Sequence, residues 1–240
     1  MRGAVISAAL LGAVGLALTM CACENKPTVT EPRPDDIVLQ VGPVRLSDGD
    51  LHRFVAWAKR LDPALSPAQI RRVTVTDYYI PYFVARGLAG TENVARAKAA
   101  AEAFHGELVA AGGGFEAFRL IAEKRGAKLD DNTEYLRPFN TLSLSMSVAA
   151  FETPLGGYSD VIASTVGFSV LGVVDEKFDG ILRRRLLMAS FPYDTSPSFG
   201  ALVKKASVEM VKERAFVHPR YRGDFESVFR NRSEDWPPPN

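Results

Sequence analysis

Apolar residues recur every three or four positions through the first half of the chain, which is typical of amphipathic helices. The pattern predicts helices that begin near residues 47, 66 and 91, and a short one over 115–124. Pro81 lacks an N–H group, so we expect it to kink or break the second helix near Tyr78–Ile80. The helix that Thr91 is predicted to cap carries the longest apolar stripe, which stops at Gly112–Gly114: Val94, Ala97, Ala101, Phe104, Leu108 and Ala111.

Strand patterns lie on both sides of these helices. Short apolar runs predict strands at 37–41, 44–46, 134–139, 161–163 and 168–174. Residues 141–147 alternate apolar side chains with serines, and this period of two predicts a half-buried strand. Helices are predicted at 178–190 and 199–214, and the end of the chain, with Trp236 and three prolines, is expected to be poorly ordered. Helices, a small antiparallel sheet and further helices in this order predict an α+β fold.

The N-terminus has the pattern of an export signal. Arg2 precedes an uncharged apolar run, Ala4 to Leu18, whose length is that of a signal-peptide core. Cys21 and Cys23 follow at once, and a cysteine in this place resembles a bacterial lipobox, which implies that one of the two is lipidated. Cys21 has the better aliphatic residue three positions before it, whereas Cys23 has the better small residue directly before it, so both registers stay open. An uncleaved membrane anchor is the alternative.

The composition, the net charge and the number of cysteines argue against several classes of function. The 240 residues are 47% hydrophobic with a formal net charge of +1, which allows a sizeable core and gives no general attraction to nucleic acid. Two cysteines are too few for a disulfide scaffold or a structural zinc site. His52, His105 and His218 lie at spacings that indicate no metal site, and no phosphate- or dinucleotide-binding glycine motif is present. We therefore expect no cofactor, no metal and no nucleic-acid partner.

A more specific pattern lies between residues 149 and 170. It consists of Ala149-Ala150-Phe151, Gly156-Gly157-Tyr158-Ser159, Val161-Ile162, Ser164 and Gly167-Phe168-Ser169-Val170. This order and spacing resemble the end of a parvulin-type peptidyl-prolyl isomerase domain. Upstream, Phe118, Ile121 and Ala122 resemble a helix of that family, and Leu136 to Phe139 resemble one of its strands. The helical unit before them resembles the N-terminal chaperone segment of exported foldases of the SurA and PrsA type.

The resemblance implies a division of the chain into six parts. These are a lipoprotein signal peptide at 1–22, a proline-rich tether at 23–36, a SurA-like N-terminal helical segment at 37–90, a parvulin-like domain at 91–175, C-terminal helices at 176–215 and a disordered tail at 216–240. The fold it implies is a helical chaperone-like unit joined to a small parvulin-like antiparallel sheet domain with flanking helices.

The resemblance also implies a site. Leu142, Met146 and Phe151 fall where the family has its apolar proline pocket, which makes them the candidate substrate-binding residues, although ordinary core packing is the alternative for all three. Ser169 occupies the position of the family's last-strand histidine and is the candidate catalytic residue. The first-strand histidine has no counterpart. Asp130 and Asp131 lie near the family's loop Cys or Asp, and Ser169 with Tyr135 or Asp131 is a conceivable divergent set.

Three functions follow from these patterns. A serine cannot replace a histidine pair, so we expect a lipid-anchored, envelope-located foldase or chaperone-like protein that binds unfolded or proline-containing exported polypeptides with weak or absent isomerase activity. An active isomerase with a divergent site is the second function. The third is a structural subunit of an envelope complex with a fixed protein partner. The aromatic residues Tyr78, Tyr79, Tyr82 and Phe83 are predicted to pack between the two units or to line a peptide groove.

Overall fold

A computed structural model describes residues 31–61, 63–137, 142–193 and 196–233. The predicted signal peptide, both cysteines, most of the predicted tether and residues 234–240 lie outside these ranges. Two four-stranded sheets and a set of helices make up the described part. In chain order the elements are β1 (Ile37–Val41), β2 (Val44–Ser47), α1 (Asp48–Leu61), α2 (Pro67–Val73), a π-helix (Thr74–Tyr79), α3 (Ile80–Ala89), α4 (Thr91–Ala110), α5 (Phe115–Lys124), β3 (Lys128–Asp131), α6 (Leu144–Glu152), β4 (Ile162–Ala163), β5 (Gly167–Phe178), β6 (Leu182–Pro192), α7 (Phe199–Met210), β7 (Ala215–Val217), a 3-10 helix (Pro219–Tyr221), α8 (Arg222–Phe225) and β8 (Arg232–Ser233).

The start of α1 shows how local sequence sets a boundary. The Ser47 N–H donates to the Asp50 carboxylate at 3.0 Å, and the Asp50 N–H donates to the Ser47 hydroxyl at 3.2 Å. This reciprocal pair is a capping box. Ser66 is the N-cap residue of α2 but forms no side-chain cap hydrogen bond, and α4 begins at Thr91 itself after Gly90, whose φ of 80° turns the chain. The predicted capping role of Thr91 is therefore wrong.

Pro81 does not break the helix that contains it. The π-helix ends directly before α3, and the Ile80 N–H donates to the Val75 carbonyl five residues back. This wider winding keeps the proline ring from being forced onto the carbonyl four residues earlier. The helical path thus continues through Pro81 with one wide turn, and the π-helix sets the direction in which Tyr78 points.

The first sheet joins the two ends of the described chain. Its strand order is β2-β1-β7-β8, so the N-terminal strand β1 lies between β2 and the late strand β7, antiparallel to both. Leu39 pairs with Val217. The predicted disordered tail is wrong over 216–233, because Tyr221, Phe225 and Phe229 are buried in the main core. These three aromatic residues belong to no regular apolar pattern in the sequence, so their burial could not be predicted from it.

The second sheet has the order β3-β6-β5-β4, and all its neighbours are antiparallel. Strand β6 lies where a helix over 178–190 was predicted, and it pairs with β5 along its whole length. That prediction is wrong because hydrogen bonding to a partner strand overrides a local helix preference. The helix predicted over 199–214 is confirmed as α7. Of the strand predicted over 134–139, the described residues 134–137 contribute a bridge from Leu136 to Arg184, and 138–139 lie outside the described ranges.

The strand predicted over 141–147 is wrong, because this stretch begins helix α6. Leu144 and Val148 pack against the main core, whereas Leu142, Met146 and Ala149 pack against a smaller cluster with Leu171, Val173 and Leu186 of the second sheet. A short helix that is half-buried on several sides shows no single apolar stripe. The alternation of serines with apolar residues in α6 therefore has the period of two that is typical of a strand. The fold is α+β, as predicted, with one core that runs from the first sheet through α4 to one face of the second sheet.

Candidate functional site

Helix α6 separates two open clefts. One lies between α6 and the second sheet, has a volume of about 350 Å3, and is called here the sheet cleft. The other lies between α6, α1 and the π-helix, has a volume of about 540 Å3, and is called the helix cleft. Both volumes lie in the range that ligand sites occupy.

The sheet cleft contains part of the predicted proline pocket. Leu142 and Met146 line it together with Leu136, Leu186 and Met188, so the structure brings two of the three predicted substrate-binding residues to one surface. Asp130 lies at its edge, because β3 pairs Asp130 with Met188. The cleft therefore has an apolar floor with an acidic rim.

Phe151 packs against the same cluster of Leu171, Val173 and Leu186 as Leu142 and Met146 do, although it does not line the sheet cleft. It also packs against the cluster of Val55, Trp57, Ala58 and Ile70 on α1 and α2, and the Arg184 guanidinium lies 5.7 Å from its ring centroid. Phe151 thus joins α6 to α1 and to β6, as a packing residue, and it is not among the residues that line the sheet cleft.

Ser169 is closed off from solvent. It lies near the start of β5, paired with Ile162 of β4 on one side and Ser190 of β6 on the other. It has 2% of its surface exposed, and its hydroxyl is 3.0 Å from the Ser190 hydroxyl. No carboxylate or histidine side chain is hydrogen-bonded to Ser169 among the residues the structure describes. A serine paired only with another serine lacks a base to accept its proton.

The divergent polar set is not assembled around Ser169. Asp131 pairs with Leu187, on the opposite face of the sheet, and forms an ion pair with Arg119 of α5 at 2.8 Å. Tyr135 donates its hydroxyl to Asp175 further along β5, and this hydrogen bond raises the pKa of Tyr135 and lowers the pKa of Asp175. Within the described ranges neither residue is hydrogen-bonded to Ser169, whose side-chain partner is the Ser190 hydroxyl.

The three histidines also lie apart. His52 forms an ion pair with Asp48 at 2.9 Å, His105 lies 3.7 Å from Asp160, and His218 accepts the Arg220 N–H at the start of the 3-10 helix. In the described ranges no three His, Cys, Asp or Glu side chains are placed to hold a metal ion.

The helix cleft has an aromatic floor. Tyr78 projects from the π-helix into it, its ring lies 5.5 Å from that of Phe54, and it stacks on Tyr82 at 5.8 Å. Burial raises the pKa of Tyr78, and it raises the pKa of Tyr79 to about 12. Tyr79 packs in the main core, whereas Tyr78 lines the cleft.

The walls of the helix cleft carry charge. Arg53 and Arg60 line it from α1, and Ser145, Val148 and Glu152 line it from α6. The Arg60 guanidinium forms an ion pair with Glu152 across the cleft at 2.7 Å. Arg53 lies 3.5 Å from Asp50 and donates to the Tyr79 hydroxyl at 3.2 Å. No motif in the sequence singles out these residues, although the seven-residue spacing of the two arginines places them on one face of a helix.

Comparison with known proteins adds no further evidence: no family model, no curated protein and no solved structure matches this chain. Within residues 31–61, 63–137, 142–193 and 196–233, no helix is both long and apolar enough to cross a bilayer.

Proposed function

We propose that this protein binds extended, unfolded polypeptide segments in the clefts beside α6, and that it acts as a chaperone-like protein without isomerase chemistry. The observation that carries this proposal is the helix cleft, an open groove with an aromatic floor and polar walls. Aromatic side chains supply apolar contact to many sequences, and polar groups on the walls of a groove can hydrogen-bond the backbone of an extended chain.

The arrangement around Ser169 supports binding over catalysis. Rotation about an X–Pro bond faces a barrier of about 18–20 kcal/mol, so acceleration requires polar groups that favour the twisted amide beside a dry pocket. The sheet cleft offers apolar side chains such as Leu142 and Met146, but the Ser169 hydroxyl is buried against Ser190. The family resemblance therefore supports a retained binding surface for proline-containing clients.

The place of action we propose is the bacterial cell envelope. The apolar run after Arg2 and the cysteines at positions 21 and 23 support export and attachment by an N-terminal lipid. An anchored protein meets exported chains while they are still unfolded, which fits a groove for extended segments.

The experiment compares the full-length protein with two tryptophan variants. Ala56 is exposed on α1 and lines the helix cleft, so Ala56→Trp fills the groove without burying new surface in the core. Ala99→Trp places the same side chain on an exposed position of α4 and is the matched control. Light scattering of an unfolded client is expected to rise more slowly with the unchanged protein and with Ala99→Trp, but not with Ala56→Trp. Equal protection by both variants, or none by the unchanged protein, would contradict the proposal.

A second candidate function rests on helix α7. Apolar clefts of about 590 and 580 Å3 flank this helix, and Leu202 and Val208, each 49% exposed, stand on its outer surface. Such a surface suits a fixed partner in an envelope complex. This function predicts a stoichiometric complex that survives Ala56→Trp and is lost on Leu202→Glu, as measured by size-exclusion chromatography with light scattering.

A further inference from the structure

The two arginines of the helix cleft give it a chemical preference. Arg53 and Arg60 point into the cleft from one face of α1, with Phe54 and Trp57 between them in the sequence. We propose that the helix cleft selects acidic segments in the polyproline II conformation, with two carboxylates three residues apart. This inference rests on the proposed function of the same cleft.

The spacing of the arginines favours this ligand. Seven residues of an α-helix advance about 10.5 Å along the axis and return to the same face. In polyproline II every third residue lies on the same side, and successive ones are about 9.3 Å apart. In a β-strand, same-side residues are about 6.6 or 13 Å apart, which matches the roughly 10.5 Å advance of the helix less well than the roughly 9.3 Å of polyproline II does. Carboxylates at positions i and i+3 of a polyproline II segment therefore match Arg53 and Arg60.

The cleft already holds a substitute for one ligand carboxylate. Glu152 of α6 contacts Arg60 at 2.7 Å, and the side chains are 65% and 50% exposed for Arg60 and Glu152. An ion pair this exposed contributes only about 0–1 kcal/mol, so an incoming carboxylate can replace Glu152 at little cost. At Arg53 the carboxylate that a ligand would have to replace is that of Asp50. It lies on the same helix at a longer distance, 3.5 Å, so it is the weaker competitor.

The floor between the two charges offers one aromatic ring to a proline. Tyr78 is half-buried at the cleft, whereas Phe54 beside it is only 7% exposed and lies under the Arg53 guanidinium, 5.3 Å from its ring centroid. Grooves lined by aromatic rings bind polyproline II segments because the pyrrolidine rings lie flat on them and the conformation is preformed. A proline between two acidic residues can therefore contact Tyr78 while the carboxylates contact the arginines.

The test uses the full-length protein and four short fluorescent peptides. They share one frame and contain Glu-Pro-Pro-Glu, Gln-Pro-Pro-Gln, Glu-Pro-Glu or Lys-Pro-Pro-Lys. At low salt Glu-Pro-Pro-Glu is expected to bind about tenfold more tightly than Gln-Pro-Pro-Gln, because each exposed pair accounts for about two- to fivefold. Most of this difference is expected to vanish near 1 M salt, where charges are screened within about 3 Å.

Variants locate the effect in the cleft. Arg53→Gln and Arg60→Gln are each expected to weaken Glu-Pro-Pro-Glu about two- to fivefold and to leave Gln-Pro-Pro-Gln unchanged. Glu152→Gln removes the internal competitor and is expected to tighten the acidic peptide by a similar factor. Lys98→Gln, on the exposed side of α4, removes one positive charge outside the cleft and is the control.

The outcomes separate the two proposals. Equal binding of the Glu and Gln peptides, or weaker acidic binding after Glu152→Gln, overturns the acidic preference and leaves the proposed function standing. If Glu-Pro-Glu binds as tightly as Glu-Pro-Pro-Glu, the proposed three-residue spacing of the carboxylates in polyproline II is wrong. If no peptide binds and the protein also fails to slow client aggregation, the proposed function fails with it.

Discussion

The Tyr221 hydroxyl donates a hydrogen bond to the buried carboxylate of Asp48, across 173 residues of chain. Asp48 is the first residue of α1, and Tyr221 ends the 3-10 helix that follows β7. Burial, together with the adjacent carboxylate, raises the pKa of Tyr221. Beside this contact, Arg71 of α2 forms an ion pair with Asp224 of α8 at 2.6 Å. The C-terminal segment is therefore held against the first two helices by polar contacts as well as by its aromatic side chains.

Tyr221→Phe removes the donor and leaves the buried Asp48 carboxylate with fewer partners. We expect the free energy of unfolding to fall by about 1–3 kcal/mol, as is usual when one partner of a buried hydrogen bond is deleted. Urea unfolding followed by circular dichroism measures this loss. Tyr135→Phe removes the same kind of Tyr–Asp bond at a more open site and should cost much less. A midpoint that Tyr221→Phe leaves unchanged would show that the contact does not hold the segment.

Stability is expected to fall at alkaline pH because burial raises the pKa of several tyrosines, Tyr79 and Tyr193 among them. Burial raises the pKa of Tyr79 and of Tyr193 from 10.0 to about 12. The folded state holds these protons more tightly than the unfolded state, so the stabilisation is fully present below pH 10 and is lost as the pH rises toward 12.

Urea midpoints at pH 8, 9, 10 and 11 measure this loss. We expect little change up to pH 9 and a decline above pH 10. Replacing Tyr79 and Tyr193 together by phenylalanine should make the decline shallower, whereas an equally steep decline in the double variant would rule these tyrosines out as its cause.

Ser169 is expected to contribute to stability and not to chemistry. Ser169→Ala leaves the Ser190 hydroxyl without its side-chain partner, at a cost of about 1 kcal/mol, and Ser169→Ala with Ser190→Ala should recover part of that cost because both polar groups are gone. Exchange NMR on an Xaa–Pro peptide with full-length protein should show binding without faster cis/trans exchange. Acceleration that Ser169→Ala abolishes would establish an isomerase.

Arg184 is expected to be the most sensitive of the three consecutive arginines. It is 8% exposed, forms an ion pair with Glu176 at 2.9 Å, and donates to the Ala150 carbonyl at the end of α6 at 2.8 Å. Arg184→Met should lower the free energy of unfolding by about 2–4 kcal/mol, since several charge-assisted hydrogen bonds are lost. Differential scanning calorimetry measures this. Arg183→Met is the neighbouring control, and an equal effect of both would show that general charge, not this contact, matters.

Elements that contain their own boundary signals could be predicted from the sequence. β1, β2, α1, α4, α5 and α7 all carry a local period or a turn, and the structure confirms them. β6 could not be recognised in this way, because its state depends on pairing with β5. α6 was predicted as a strand because it is half-buried on several sides and its apolar residues therefore show no clear helical period. The three arginines at 183–185 lie on β6, and Arg184 is buried.

The candidate site was predictable only in part, for the same reason. Leu142 and Met146 are close in sequence, so their common surface follows from local structure alone. The Arg60–Glu152 pair spans 92 residues, and only the packing of α6 against α1 brings it together. Tyr78 was predicted to belong to an aromatic cluster, but the direction of its side chain depends on the π-helix, which no residue pattern predicted.

The pairing of β1 with β7 has a consequence for the order in which this protein is made. Val41 pairs with Ala215, which the ribosome adds 174 residues later. At about 5–20 residues per second, the open edge of the first hairpin waits roughly 10–35 s for the strand that covers it. During that interval the nascent chain exposes an unpaired strand edge, which is prone to pair with other chains. The nascent chain therefore needs the same protection from aggregation that we propose the folded protein gives to its clients.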